Sequence, residues 1–206
     1  MANSTLLQLK SDTRTTMKID PNAKMIGDDA LKDFINISMD RVQRDFGFDL
    51  RFNKASLADS YTVGGTQEYT LPTNFIRFDL LKVNKRNLTE TDKADILKRW
   101  DDFPSGQPTE FYLTGDSYGL NPIPNSSYLV KIQYIKKFDL LVNDDDISEL
   151  PPDFDDLIAK YSAYQAFATI PRYRAEAEEK LTDYQRALSL LRYKYIVRED
   201  MPNIMN

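Results

Sequence analysis

Residues 143–168 read NDDDISELPPDFDDLIAKYSAYQAFA, and the fold turns on this stretch. Before it, apolar residues alternate with polar ones; after it, they recur every three or four positions. Pro151 and Pro152 stand at the change. A proline offers no amide to a strand ladder and biases the residue before it away from helix, so a strand stops here and a helix starts only behind the pair. Asp153, Asp155 and Asp156 then fall in a first helical turn, where carboxylates suit the positive end of the helix dipole. Phe154, Leu157, Ile158, Tyr161, Tyr164, Gln165 and Ala168 trace one stripe at helical spacing. The acidic run Asp144, Asp145 and Asp146 reads as a solvated turn. As a cation loop it lacks a glycine at the sharp bend, and Glu149 comes too early to close the coordination.

Downstream, Pro171 interrupts the period. Tyr173, Ala177, Leu181, Tyr184, Leu188, Leu191 and Tyr195 then recur at steps of four and three, with Glu176 and Lys180 as a flanking i,i+4 pair. Two consecutive helices with one apolar stripe each must bury those stripes against each other and against an earlier helix. That earlier helix is predicted from residue 28, with Asp28 and Asp29 as capping acids, Leu31, Phe34, Ile35, Ile37, Val42 and Phe46 on its apolar side, and Gly47 as its stop. A short helix over 4–16 is expected from a weaker pattern.

Between about 56 and 137 the period is two. SYTVGGTQEYTL (60–71) reads as a hairpin around Gly64 and Gly65, which supply positive φ. FIRFDLLKV (75–83) is a strand behind Pro72. LTETDKADILKRWDD (88–102) reads as a short helix started by Thr89 or Thr91, bearing Trp100 and ended by PSGQP. TEFYLTG, SYGLNPIP and YLVKIQYIKKF follow as strands, the last with Tyr128, Val130, Ile132 and Tyr134 on one face and Leu129, Lys131 and Gln133 on the other. The expected fold class is α+β: a helical bundle framework with an inserted small antiparallel β-sheet module. Its parts are an N-terminal helical segment (1–55), the β module (56–137), a C-terminal helix pair packing with the N-terminal helices (138–196) and a flexible tail (197–206).

The 206 residues include no cysteine and no histidine. Disulfides, thiolate nucleophiles, imidazole bases and Cys/His zinc sites are therefore excluded. A net charge of −5 speaks against a general nucleic-acid binder. No apolar run approaches the length of a membrane span, and MANSTLLQLKSDTRTT carries Asp12 and no cleavage site after an apolar core, so a soluble, unsecreted protein is expected. Gly64-Gly65 belongs to no phosphate-loop motif. No carboxylate interrupts an apolar stripe, so no catalytic residue, cofactor or metal ligand is assigned; the alternative of another class is a metal-dependent hydrolase using Asp144, Asp146 and Glu149. Basic residues occur in small groups, at Lys85-Arg86, Lys136-Lys137, Arg172 with Arg174, and Arg192, Lys194 and Arg198. Each reads as a solvated face unless several converge in an oligomer. With 12 Tyr and 11 Phe, the chain is rich in side chains suited to interfaces. Tyr161, Tyr164, Tyr173, Tyr184 and Tyr195 are the candidates for a subunit interface, with core or core edge as the competing role.

The order of segments resembles one known family. IGDDALKDFINISMDRVQRDF, EYTLPTNFIRFDLLKVN, SGQPTEFYL, GLNPIP, YLVKIQYIKKFDLL and ELPPDFDDLIAKYSAYQAFA together look like the head-to-tail adaptor (connector) proteins of tailed bacteriophages, over roughly residues 26–195. Asn74, where an acidic residue is frequent, and Asp155 depart from the family pattern. The resemblance implies a non-enzymatic virion subunit, assembled in the host cytoplasm. It would form a dodecameric ring beneath the portal protein, extend the channel through which DNA passes without sequence recognition, and meet tail or tail-completion proteins, with no membrane. It further implies a C-terminal segment docking into the portal, for which Met201, Pro202, Ile204 and Met205 are the candidates. A tail terminator or a tail hub is the alternative within the virion.

Overall fold

The computed structural model describes residues 3–18, 26–46, 53–99 and 103–199. The chain divides into two compact units, Met1–Phe52 with Phe138–Asn206, and Asn53–Lys137. The mixed α+β class is borne out.

The first unit is helical. Helix α1 (Leu6–Thr16) opens with a capping box, in which Thr5 accepts from the Gln8 amide while the Gln8 side chain accepts from the Thr5 amide. Leu6 and Leu9 are fully buried. Helix α2 (Asp28–Phe46) starts at the predicted residue, but its cap position is Gly27, whose carbonyl accepts from the Leu31 amide. Asp28 and Asp29 therefore act through the helix dipole in the first turn and are not the cap. Leu31, Ile35, Met39 and Val42 face the core, whereas Ile37, assigned to the apolar side, is exposed. Two residues from Ile35, it is turned by about 200° at 3.6 residues per turn. The expected Gly47 stop lies outside the described residues.

Helix α4 (Asp155–Ala168), preceded by a 3-10 turn at Pro152–Phe154, is the centre of this unit and packs against α1, α2 and α5 (Arg174–Glu199). It buries Leu157 and Ile158 as expected, and also Ala159, Ser162, Ala163 and Ala166. These small residues let neighbouring helices approach. The Ser38 and Ser162 hydroxyls meet at 2.8 Å across α2 and α4. Ala168, placed on the stripe, is exposed, because the helix ends there and Thr169 takes the C-cap. From Ala177 on the α5 stripe is as read: Ala177 is buried beside Phe167, Tyr184 and Leu188 are buried in the main core, and Leu181, Leu191 and Tyr195 pack on that core, while Tyr173 lies in a 3-10 turn, Pro171–Tyr173, before the helix. Lys180 is nearly buried, with Glu179 at 3.5 Å and Asp183 at 3.7 Å as its carboxylates in place of the expected Glu176.

The second unit contains strands β1 (Lys54–Ser56), β2 (Ser60–Tyr61), β3 (Glu68–Thr70), β4 (Phe75–Val83), β5 (Arg86–Asn87) and β6 (Thr89–Glu90), helix α3 (Lys93–Arg99), and strands β7 (Ser105–Gly106), β8 (Glu110–Thr114), β9 (Ser117–Asn121), β10 (Ile123–Pro124) and β11 (Leu129–Lys136). The expected single antiparallel sheet is in fact two sheets and a ribbon. The first runs β1-β11-β4-β5, with β2 also on β11, and the second β3-β9-β8-β6; β7 and β10 form the ribbon. Two pairings, β6 with β8 and β7 with β10, are parallel.

The long strands β4 and β11 align Val83 with Val130 and Leu81 with Ile132, and their inward residues join Phe111, Tyr118 and Leu120 in the core. Asn84 and Lys85, at φ 47° and 68°, make the tight β4–β5 turn. The Gly64-Gly65 turn exists, with Gly65 at φ 81° and the Thr66 amide bonded to the Val63 carbonyl. Its flanks do not form the expected hairpin: β2 joins β11 and β3 joins β9. Each short flank finds a longer strand whose edge extends its ladder. Helix α3 is capped by Asp92, whose carboxylate accepts from the Ala94 amide at 2.7 Å, so neither Thr89 nor Thr91 starts it; Thr89 belongs to β6. Trp100 lies outside the described residues.

Candidate functional site

Residues 138–150 lead into α4 as a loop; the last strand ends at Lys136, so no strand runs up to Pro151-Pro152 as expected, and the prolines only precede the helix. Asp146 is committed to this loop: its carboxylate accepts from the Val142 and Asn143 amides at 2.6 and 2.8 Å. Those bonds hold its pKa below the ordinary carboxylate value. Asp144 pairs with the nearly buried Lys10 at 2.6 Å. The loop is also stitched to the start of the chain, since Leu6 and Leu7 donate to the Asp146 and Asp144 carbonyls, Ser148 donates to Ser4, and Thr5 bridges Ile147. Two of the three acids of the hydrolase alternative thus serve as a turn brace and an ion pair. Among the described residues no group of three or more acids is placed to hold a metal ion.

The three acids after the prolines diverge. Asp153 pairs with Lys194 at 2.7 Å and Asp156 with Lys160. Asp155, read as a solvated first-turn acid, turns inward instead. One oxygen accepts from the Ser4 hydroxyl and the other has no partner. Burial pushes its pKa up against the Ser4 bond, and the charge of Asp12 adds to the rise. The hidden signal was long-range, because Ser4 lies 151 residues away in sequence.

The five tyrosines line the helical core and its margin. Tyr184 is fully buried, donates to Asp45 at 2.9 Å, and has its pKa raised far above the phenol value, first by burial and then by Asp45. Tyr161 packs on Tyr164 and Tyr184 beneath the Arg41 guanidinium, 5.7 Å from its ring. Tyr173 packs on Phe167 with Arg172 over its ring, and Tyr195 on Phe46 and Phe154. All but Tyr184 keep a partly accessible edge.

Besides Ile37, the large apolar side chains that face solvent among the described residues of this unit are others: Leu7, Leu140, Val142, Ile147, Leu190 and Tyr193. Sequence periodicity passed over them because they sit off the stripes or in a loop. A groove of about 440 Å³ beside α4 and α5 is lined by Lys160, Asp183, Arg186 and Lys194 with Leu157 and Leu191. Its lysines are already paired, to Asp156 and Asp153, which gives no concentrated charge of either sign.

In the sheet unit, Arg99 grips Glu110 through two bonds of 3.0 and 2.8 Å, and Lys93 bonds Glu68 at 3.0 Å. Both carboxylates are held below their ordinary pKa, chiefly by these bonds. Each is a structural pair. Lys85 and Arg86 are exposed at the β4–β5 turn. Met201, Pro202, Ile204 and Met205 lie outside the described residues.

A family model described as SU10 adaptor protein matches residues 4–205, nearly the whole chain and both units. The chain belongs to this family. The resemblance to phage head-to-tail adaptors is thereby borne out, and the SU10 adaptor family is one of phage structural proteins. No curated protein matches the chain. Among the described residues, no helix of this SU10 adaptor family member is long and apolar enough to cross a membrane.

Proposed function

We propose that this chain is a head-to-tail connector subunit that works by assembly and transforms no substrate. The observation that carries this reading is the family match spanning residues 4–205. It is supported by the commitment of Asp144 and Asp146 to an ion pair and a turn, and by apolar side chains left exposed on the helical unit. Copies form a dodecameric ring beneath the portal protein, in the neck of the virion, and extend the DNA channel toward tail or tail-completion proteins. The helical unit packs around the ring, and the sheet module faces a tail-side partner or a neighbouring copy. Partly accessible Tyr161, Tyr164, Tyr173 and Tyr195 edge the subunit contacts, with Tyr184 supporting them from the core. The segment holding Met201, Pro202, Ile204 and Met205 docks into the portal, where flexible apolar side chains gain order on binding. A net charge of −5 suits a channel wall along which DNA slides without being held.

The test is native mass measurement of the full-length chain, alone and mixed with purified portal rings. A discrete increment of a dodecamer per portal is expected, lost when the chain is cut after residue 199. A mixture that never associates refutes the reading, as does hydrolysis of a sugar, ester or nucleotide abolished by Asp146→Asn.

A further inference from the structure

Two uncovered patches on the helical unit carry free charges of opposite sign. The first lies on the 138–150 loop and the start of α1. Leu141 is buried, with its amide and carbonyl both held at 2.9 Å by the Asn36 side chain. Its neighbours Leu140 and Val142 consequently point outward, 67% and 61% exposed. Ile147, also 61% exposed, is bridged to Thr5, and Leu7 is tied to the Asp144 carbonyl at 3.1 Å. The backbone therefore gathers four exposed apolar side chains into one area. Asp139 and Asp145 stand among them, exposed and without an ion-pair partner among the described residues.

The second patch lies on α5. Leu190 and Tyr193, 69% and 71% exposed, are three residues apart and share a helix face. Arg186 lies one turn before Leu190 on that face and Arg192, next to Tyr193, lies about 100° round the helix; both are exposed and without an ion-pair partner among the described residues. Helices α1 and α5 each pack along α4 and make no substantial contact with one another. The two patches lie on different elements of the same unit.

We infer that the α5 patch of one copy seats on the loop patch of the next. Leu190 and Tyr193 cover Leu140, Val142 and Ile147, while Arg186 and Arg192 meet Asp139 and Asp145. The occupant is a second copy because each patch has an apolar centre to cover and carries charges of the sign complementary to the other's. Two unlike surfaces meeting in this way make a heterologous contact, which propagates and closes into a ring when the rotation permits. The inference rests on the ring assembly proposed above and assigns its contact.

The chain contains no cysteine, so introduced thiols report contacts without background. A Val142→Cys chain and a Tyr193→Cys chain are mixed, alone at high concentration and with portal rings, oxidised, and weighed by native mass measurement. Mixed disulfides are expected to exceed both like-with-like disulfides at least tenfold. Rings that assemble without mixed disulfides, or with like pairs dominant, overturn the contact and leave the ring standing. Absence of any assembly overturns both. In a second arm, Arg186→Glu with Arg192→Glu raises the concentration for half-assembly at least tenfold, and adding Asp139→Lys with Asp145→Lys in the same chain restores it. Circular dichroism checks that these exposed substitutions leave the fold intact, and a failure of the restoration refutes the pairing.

Discussion

Gly119 offers the sharpest test of packing in the sheet unit. It lies in β9 directly opposite Tyr112 of β8, and the tyrosine ring lies against its backbone. A Cβ at 119 would fall 2.0 Å from Cζ and 2.3 Å from Oη of Tyr112, whereas carbon atoms rest at about 3.5–4.0 Å. Tyr112 has no room to yield. It is fully buried, with Phe103 at 5.7 Å on one side, the Lys93 ammonium 5.1 Å from its ring, and its hydroxyl 3.3 Å from Glu68.

Gly119→Ala therefore forces the ring from its place. Overpacking costs about 1–3 kcal/mol, and partial loss of a buried aromatic adds up to about 2 kcal/mol. Alanine's advantage over glycine in a strand returns about 0.5–1 kcal/mol. The net loss is about 2.5 kcal/mol, a fall in Tm of about 5–10 °C if the 206 residues unfold together. Urea unfolding followed by circular dichroism measures it. Ultraviolet titration supplies an independent reading: the Tyr112 phenol, pushed up to about 12 first by burial and then by Glu68, returns toward its ordinary value once displaced. The decisive comparison is a double-mutant cycle. In a Tyr112→Ala background Gly119→Ala should be neutral or stabilising, while Gly65→Ala, strained at φ 81° with no atom near its Cβ, should cost about 1 kcal/mol in both backgrounds. An equal loss from Gly119→Ala with and without the tyrosine ring would refute the reasoning.

Two further outcomes concern the helical unit. The folded pKa of Asp155 lies above its ordinary value, so the folded chain holds more protons than the unfolded chain between the two values. Its contribution is thus full below the ordinary carboxylate pKa and is lost as pH rises through the raised one. Asp155→Asn, which still accepts from Ser4, should gain in Tm on the parent as pH climbs from 4 to 7; a gap constant across that range sinks the assignment. Ala163, fully buried against Met17, Phe167 and Ala177, has no space for three more carbons. Ala163→Leu should lower stability by about 1–3 kcal/mol in urea, against about 0.5 kcal/mol or less for exposed Ala168→Leu, and equal effects would remove Ala163 from the helix contact.

Helix α5 was readable because one side alone is covered, so Tyr184, Leu188 and Leu191 mark it without ambiguity. Helix α4 was half readable: Leu157 and Ile158 announced one face, but Ala159, Ser162, Ala163 and Ala166 carry too little hydrophobic contrast to announce the other. The exposed residues Leu140 and Val142, and Leu190 and Tyr193, lay off any stripe and drew no notice. The inward turn of Asp155 depended on Ser4, and the failed hairpin at Gly64-Gly65 on the open edges of β9 and β11.

The amino-acid sequence by itself determined the helix start behind Pro151-Pro152, the α+β class, the family resemblance, and the exclusion of every chemistry that needs cysteine or histidine. These follow from neighbours in the chain, whose spacing sets which side of an element is apolar. Only the tertiary structure decided which strands pair, which carboxylate turns inward and which apolar side chains stay bare. Those outcomes depend on which distant segment fills the adjoining space, and local periodicity holds no record of it.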